Sequence, residues 1–537
     1  MNGDADVLPA GQSQPSSSKK DKKRFNQAQA KKKRRSGRSP SRSSSQDAPA
    51  WRREAMIGAL IVGVILMTLG FDFISNSQNS KSAFDIIWSS MTRIGSGGTR
   101  ASYGVLALVL TTWLVTSVIV AAESFNFDDD STWFKVLGTI LGSSFLVGLF
   151  YWFWHAGSLA ALASATATNL DGVLAQIGRY ESLLTRYYIY LFLMVFAGAA
   201  FFVEDWPVRV TAPVWYGAMA APVALVVVAL LASYTNLRII QADIAFKLAD
   251  PFTRQNQWNV AIAVYDRANA LAPSEDYYYL FLGRAYLEEA KTLTDNTQRD
   301  NLILQAESDL KKAQSISPLN TDHTANLARL YSLWASYTTD PKLQQQRAQI
   351  SSDYFSKAVM LSPQNARLWD EWALLALNIM GQPQEAYQRL SRAVKIDPYY
   401  DWTYGLIGDY YARATQTITD TQQKDQTLQQ AAENYQQAIK LVASSDTQMK
   451  YNYLLALGGV QTQLQQPQAA INTYQQAIQL VPNSADNWKI MEAVARLYAQ
   501  AGDQNNALLY ARNALQSAPD AQKTGLQSLV TQLGGQP

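Results

Sequence analysis

The chain has 537 residues, with 46 Lys and Arg against 43 Asp and Glu, two histidines and no cysteine. This length is too great for one hydrophobic core, so it predicts several structural units. Without cysteine the chain forms no disulfide, thiolate metal site or thiol nucleophile. His155 and His323 lie 168 residues apart, which argues against a multi-histidine metal site. The sequence therefore predicts no metal and no cofactor.

Residues 1–53 form a basic tail, which carries 14 Lys and Arg against 4 Asp and hence a net charge of about +10. The whole chain has a net charge of +3, so the remaining residues carry about −7 by difference. Because the tail has few apolar side chains, we predict that it is disordered. Two functions remain open: it binds anionic lipid headgroups, or it is a solvated segment that keeps the N-terminus in the cytoplasm. We expect no nucleic acid partner.

Residues 54–235 are strongly apolar and predict a membrane domain with about five transmembrane helices. A helix needs about 20 apolar residues to cross ~30 Å of hydrocarbon. The basic tail predicts a cytoplasmic N-terminus, and five crossings then place the C-terminal half outside. An error of one crossing would reverse that side. The five apolar stretches are 55–75, 102–122, 136–154, 187–203 and 210–231.

From residue 242 the sequence repeats a pattern of a small residue, an aromatic or Leu four positions later, Ala three positions after that, and a closing Pro. The motif occurs seven times, with small departures in two copies, and its first residues are Ala261, Ala306, Ser351, Ala386, Ala431, Ala470 and Ala507. This pattern resembles the tetratricopeptide (TPR) family over residues 242–519. The resemblance implies a right-handed α-solenoid closed by a capping helix at 521–533, so with the transmembrane helices before it the whole chain is expected to have an all-α fold.

Three of the repeats carry about eleven extra residues between the aromatic of the first helix and the small residue of the second. The inserted sequences are polar, so we expect both helices to lengthen and the hairpin tips to project from one edge. Two explanations remain open, neutral loop growth and a widened docking edge. The insertions are TLTDNTQRDN, TTDPKLQQQR and TITDTQQKDQ.

The concave groove of a TPR array is lined by the first helices and generally binds extended peptides or helices of protein partners. The TPR pattern projects five charged residues of this chain toward the groove. Each is either a contact for a bound protein or a solvated surface charge. These groove candidates are Arg284, Arg329, Asp370, Asp409 and Arg496.

The sequence contains no phosphate-binding loop, dinucleotide motif, zinc-protease motif or nucleophile elbow, and it predicts no catalytic residue. His155 follows an aromatic run near the end of the third apolar stretch. It is either a proton carrier or general base, or an interfacial histidine that needs no partner.

Parts of the membrane half resemble the C-terminal portion of TPR-tailed bacterial O-antigen ligase/polymerase-like proteins. The resemblance implies a multi-pass protein of the bacterial cytoplasmic (inner) membrane that takes part in surface-polysaccharide assembly. A full enzyme of that family has more spans and a histidine-bearing external loop, so the resemblance implies a non-catalytic or split subunit here. The segments that carry it are YWFWHAGSLAAL (151–162), LLTRYYIYLFLM (183–194), NLRIIQADIAFKLADPF (236–252) and YYYLFLGRAYLEEA (277–290).

Overall fold

A computed structural model of the chain describes residues 50–75, 82–94, 100–125, 130–164, 169–203 and 214–536. The predicted tail, except for its last few residues, lies outside this range. The described residues are almost entirely helical, which confirms the predicted all-α fold. Within them, one short antiparallel pair of strands is formed by β1 (Arg93–Ile94) and β2 (Arg100–Ala101).

The chain divides into two units, and the division falls within one long helix, α5 (Leu170–Val203). The first unit comprises Met1–Ala165 and Arg186–Arg209. Its other helices are α1 (Ala50–Ser75), α2 (Ala83–Thr92), α3 (Gly104–Ala121), a short 3-10 turn (Ala122–Ser124) and α4 (Ser131–Ala163).

Tryptophan side chains and small residues hold the helices of the first unit together. The indole of Trp152 on α4 donates a 2.9 Å hydrogen bond to the carbonyl oxygen of Leu66 on α1. A Cβ on Gly70 would lie 1.9 Å from Nε1 of Trp152, so α1 needs glycine here for the ring to approach. Trp113 likewise donates to the buried hydroxyl of Ser144, at 3.0 Å. Each indole N–H thus has a partner within a largely apolar packing.

Four helical runs in the described residues are long and apolar enough to cross a membrane: Trp51–Ser75, Gly104–Ser124, Ser131–Ala163 and Val223–Arg254. They correspond to the first, second, third and fifth predicted stretches. The fourth predicted stretch, 187–203, forms the second half of α5. Many apolar side chains of these runs are exposed, which suits a hydrocarbon surrounding better than water.

The second unit comprises Thr166–Thr185 and Val210–Pro537. It is an array of antiparallel helical hairpins that begins with the continuous helical segment α6 (Val214–Ala232), a π-turn (Ser233–Leu237) and α7 (Arg238–Leu248). The helices that follow are α8 (Asp250–Arg254), α9 (Trp258–Leu271), α10 (Asp276–Thr292), α11 (Asn296–Ile316), α12 (Thr321–Tyr337), α13 (Pro341–Leu361), α14 (Ala366–Leu375) with a π-turn (Ala376–Met380), α15 (Pro383–Ile396), α16 (Asp401–Ala414), α17 (Thr421–Leu441), α18 (Thr447–Gln463), α19 (Pro467–Leu480), α20 (Asn487–Gln500), α21 (Gln504–Ser517) and α22 (Asp520–Gln532).

The first half of α5 packs on the beginning of this array. Ile177 is buried in one cluster with Ala242, Ala245 and Ala268 of the first hairpin. Arg267 donates through Nε to one carboxylate oxygen of Glu181, at 2.7 Å, and through Nη2 to the other. The amide of Gln241 donates to the hydroxyl of Thr185 at 3.0 Å. The first hairpin is therefore covered by a segment that precedes it by about sixty residues in the chain.

The insertions lengthen the second helices of three hairpins. α11, α13 and α17 each have 21 residues, whereas α9, α15, α19 and α21 each have 14. Seven residues are about two turns, or roughly 10 Å of helix. In each insertion an aspartate accepts a hydrogen bond from a backbone N–H in the first turn and so caps the helix: Asp295, Asp340 and Asp420.

First and second helices approach closely at the small residues of the repeat motif. A Cβ on Gly408 would lie 2.6 Å from the ring of Tyr435, which packs against this position. The hydroxyl of Tyr435 donates to the carboxylate of Asp409 at 2.6 Å. The glycine therefore makes room for the aromatic side chain of the partner helix, as the motif predicts.

Candidate functional site

The first helices of four successive hairpins line an open groove of about 1180 Å³. On α10 the lining residues recur every three or four positions, as Tyr277, Phe281, Arg284, Glu288 and Lys291. This spacing places them on one face of a helix. α12 and α14 contribute faces of the same kind, and Trp402 lies at the start of α16. The groove is therefore formed where the TPR pattern predicts a binding surface.

The lining combines aromatic rings, aliphatic side chains and charges of both signs. Tyr277 is half exposed, and its ring centroid lies 4.6 Å from that of Phe281. Four cations and three carboxylates face the groove: Arg284, Lys291, Arg329, Arg367, Glu288, Asp322 and Glu371. The small excess of positive charge, together with exposed aromatic rings, suits a protein segment that carries apolar and anionic side chains.

Most of the groove cations are already paired with carboxylates. Glu371 accepts hydrogen bonds from Nε of Arg329 at 2.8 Å and from Nε of Arg367 at 2.9 Å. Lys291 lies 2.8 Å from the carboxylate of Glu288. Arg284 is exposed and has no ion pair among the residues that the structure describes. It is thus the groove cation that is free to pair with an incoming anion.

The structure places Asp370 in the interior, although the TPR pattern projected it toward the groove. The side chain is 0% exposed, and Thr403 on α16 donates a 2.7 Å hydrogen bond to one carboxylate oxygen. Burial raises the pKa of Asp370 to about 7, and the nearby carboxylates of Glu371 and Asp397 add to the effect, which the Thr403 hydrogen bond opposes. Asp370 therefore joins adjacent hairpins and does not face a ligand.

Asp409 and Arg496 also lie apart from the groove, whereas Arg284 and Arg329 line it together. Asp409 accepts the hydrogen bond from Tyr435 within its own hairpin. Arg496 pairs with Glu492 one turn away on α20, at 2.7 Å. Two of the five groove candidates thus line the same groove, and the other three make hydrogen bonds or ion pairs with nearby residues of the array.

Several residues that shape the groove were not predicted from the sequence. Glu371, Arg367 and Tyr277 were not projected, because the TPR pattern was followed at one position per helix. The helical spacing on α10 from Tyr277 to Lys291 was a signal for Tyr277, and the four-residue spacing of Arg367 and Glu371 on α14 was a signal for those two.

His155, the other candidate for chemistry, is buried in the first unit. Its Nε2 lies 2.9 Å from the hydroxyl of Ser75, and its ring packs against Phe71 and Tyr151. No group of three or more metal-ligating side chains occurs among the described residues. The contacts of His155 are those of a residue that joins two helices.

No protein-family model matches this chain, and no curated protein matches it. Among solved structures, PilF of Pseudomonas aeruginosa is 19% identical, with a TM-score of 0.33 over 47% of this chain and 96% of that chain. The C-terminal part of a TPR repeat-containing protein from Cytophaga hutchinsonii is 15% identical, with a TM-score of 0.36 over 53% of this chain and 99% of that chain. YrrB, described as a TPR protein with an unusual peptide-binding site, is 18% identical, with a TM-score of 0.25 over 39% of this chain and 90% of that chain.

The second unit is thus an all-α array of helical hairpins with an open groove on its first helices. The first unit adds apolar helices that are long enough to span a membrane.

Proposed function

We propose that this protein is a membrane-anchored TPR scaffold, which binds a segment of a protein partner in its groove at the bacterial cell envelope. The observation that carries the proposal is the groove itself, where Arg284, which has no ion pair among the described residues, lies beside the exposed ring of Tyr277 and the partly buried ring of Phe281. An anionic residue of the partner would pair with Arg284, and an adjacent apolar residue would pack on Tyr277 and Phe281. The long apolar helices support the membrane anchor.

Contacts within the second unit support an extracytoplasmic side for the solenoid. Thr166–Thr185 belongs to the same unit as the hairpins and is tied to them by Glu181, Arg267 and Gln241. These two parts of the chain must therefore lie on one side of the membrane. The apolar stretches 187–203 and 214–232 lie between them, so both cross the bilayer or neither does.

The side of the solenoid then depends on the crossings that precede residue 166. Three apolar runs occur there: Trp51–Ser75, Gly104–Ser124 and Ser131–Ala163. Three crossings carry the chain from a cytoplasmic N-terminus to the outside. The chain therefore crosses the membrane either five times or three times, and in each case the tail and the solenoid lie on opposite sides.

Cysteine accessibility tests this topology cleanly because the native chain has no cysteine. The single substitutions S17C, D171C and N301C report on the tail, the first half of α5 and an extended hairpin. We expect a membrane-impermeant maleimide to label D171C and N301C in intact cells, and S17C only after lysis. Labelling of D171C and N301C from opposite sides would disprove the shared side.

Photo-crosslinking tests the groove. A photoreactive amino acid at Asn326, inside the groove, should give a discrete protein adduct in cells, whereas one at Leu509, outside the groove, should not. R284E should reduce the adduct strongly, and R496E provides a charge-matched control on another first helix. Equal adducts at both positions, or equal loss in both variants, would refute the groove as the binding surface.

A second candidate is a non-catalytic or split subunit of surface-polysaccharide assembly, which the resemblance of residues 151–162 and 183–194 to O-antigen ligase-like proteins favours. The buried contact between His155 and Ser75 agrees with the non-catalytic form of this candidate. Deletion of the gene should then alter the profile of lipid-linked glycan, and an unchanged profile would eliminate it.

A further inference from the structure

Three large apolar side chains lie exposed at consecutive boundaries between hairpins. Leu319 is 82% exposed, Met360 is 70% exposed and Tyr399 is 78% exposed. Leu319 and Tyr399 lie in turns between a second helix and the next first helix, and Met360 lies in the last helical turn before such a boundary. Single exposed apolar residues are ordinary, but three at successive hairpin boundaries lie along one edge of an array.

The turn edge is the edge of the array formed by the connections 272–275, 317–320, 362–365 and 397–400. It is level, which means that successive second helices end at the same motif position and are followed by connections of equal length. Each of these four connections has four residues. Every second helix in the array, including the three long ones, ends three residues after the Ala of its motif, as at Leu271, Ile316 and Leu361. The inserted residues therefore project only at the opposite edge, where the hairpin tips lie.

The turn edge is also the edge at which the array joins its apolar helix. All first helices of stacked hairpins run in the same direction, so they begin at the turn edge. α7 packs on α9 as the first helix of the array, and it continues directly from α6 through the π-turn. The run Val223–Arg254 is one helical segment of 32 residues.

The junction has the features of a membrane boundary. The side chains of α6 that the structure describes are exposed and apolar, as at Val226 and Leu230. Beyond them, Tyr234 is exposed, and the guanidinium of Arg238 lies 5.5 Å from its ring centroid. Aromatic and basic side chains of this kind collect where a helix leaves the hydrocarbon.

We propose that the turn edge rests on the lipid bilayer, with Leu319, Met360 and Tyr399 inserted at the boundary between headgroups and acyl chains. This inference rests on the proposed membrane anchor. It explains why the edge is level and why the insertions extend only the far edge. The solenoid then lies along the membrane, and its hairpin tips point away from it.

The contact is apolar and not electrostatic. The four connections read APSE, SPLN, SPQN and DPYY, so they contain two carboxylates and no Lys or Arg. A surface that used cations would bind anionic lipids selectively and would detach at high salt. This edge should contact neutral and anionic bilayers equally well.

Lipid-borne quenchers test the proposal on the full chain. Single-cysteine variants L319C, M360C and Y399C are labelled with a polarity-sensitive fluorophore and reconstituted in phosphatidylcholine vesicles, some of which carry nitroxide near the headgroup. L343C is the matched control, because Leu343 is an exposed leucine at the hairpin-tip edge. V226C reports on the membrane anchor. We expect severalfold stronger quenching for the three turn-edge labels than for L343C, and the same result with phosphatidylglycerol or high salt.

A failure of the turn-edge inference and a failure of the membrane anchor would give different quenching patterns. Strong quenching of V226C with equal, weak quenching of L319C, Y399C and L343C would overturn the inference and leave the anchor intact. Blue-shifted turn-edge labels that lipid nitroxide does not quench would show that protein covers this edge, and they would also overturn it. An unquenched V226C would refute the membrane anchor itself.

Discussion

The buried carboxyl of Asp370 makes the stability of the solenoid depend on pH, and D370N should remove that dependence. One carboxylate oxygen of Asp370 accepts from Thr403, and the other has no partner among the described residues. Burial raises the pKa in the folded chain to about 7, from 3.8 in the unfolded chain. The folded chain therefore binds a proton that the unfolded chain releases, and stability falls as pH rises from about 4 to about 7.

The magnitude follows from the two pKa values. One pKa unit corresponds to about 1.4 kcal/mol, so full ionisation of Asp370 lowers the free energy of unfolding by at most roughly 4 kcal/mol. Asparagine keeps the shape and the acceptor for Thr403, and its amide carries a donor as the protonated acid does. Because pH 5 lies about 1.2 units above the unfolded-chain pKa of 3.8, D370N should already be more stable by about 1.6 kcal/mol at pH 5, and by up to roughly 4 kcal/mol at pH 8.5.

The rate at which a buried thiol is alkylated measures the stability of the hairpins around Asp370. A393C introduces the chain's single cysteine at a fully buried site in α15, and its reaction rate reports the opening of the neighbouring hairpins. The ratio of rates with and without D370N cancels the pH dependence of the thiol. It also cancels the contribution of Asp309, whose pKa burial likewise raises to about 7. A ratio that stays constant between pH 5 and pH 8.5 would refute the reasoning.

Three further substitutions test the packing of the array. G408A should destabilise it by about 1–3 kcal/mol through overpacking against Tyr435, seen as a lower melting temperature in detergent; an unchanged melting temperature would contradict the close contact. D340A removes a helix cap and should cost about 1 kcal/mol, with faster deuterium exchange confined to the first turn of α13; exchange that rises along the whole helix would contradict a local cap. E181A breaks the partly exposed pair with Arg267 and should cost about 1–2 kcal/mol, with increased exchange in residues 238–271; unchanged exchange there would show that α5 does not cover the first hairpin.

The repeat architecture could be predicted because it depends on residues at fixed, short separations in the sequence. The small residue and Ala of each motif predict where a second helix lies, and the polar insertions predict the longer second helices of three hairpins. Arg284 and Arg329 were projected toward the groove from their positions on two first helices, and both line it.

Contacts between distant segments could not be predicted in this way. The buried carboxylate of Asp370 accepts from Thr403 in the next hairpin, and His323 is fully buried with its Nε2 2.6 Å from the carboxylate of Asp276 in the preceding hairpin. Periodicity assigns a residue to a face of its helix but does not say what covers that face. The pairing of Glu181 with Arg267 joins residues 86 positions apart and leaves no periodic signal.

The covering of the first hairpin by the first half of α5 imposes an order on biosynthesis. Residues 170–185 leave the ribosome well before residues 238–271, and the apolar stretches 187–203 and 214–232 are made between them. The apolar face around Ile177 therefore has nothing to pack against until those stretches have been placed and α7 and α9 have been made. The first hairpin of the solenoid can thus complete its core only after both apolar stretches have been made, so the folding of the array depends on the earlier placement of those stretches.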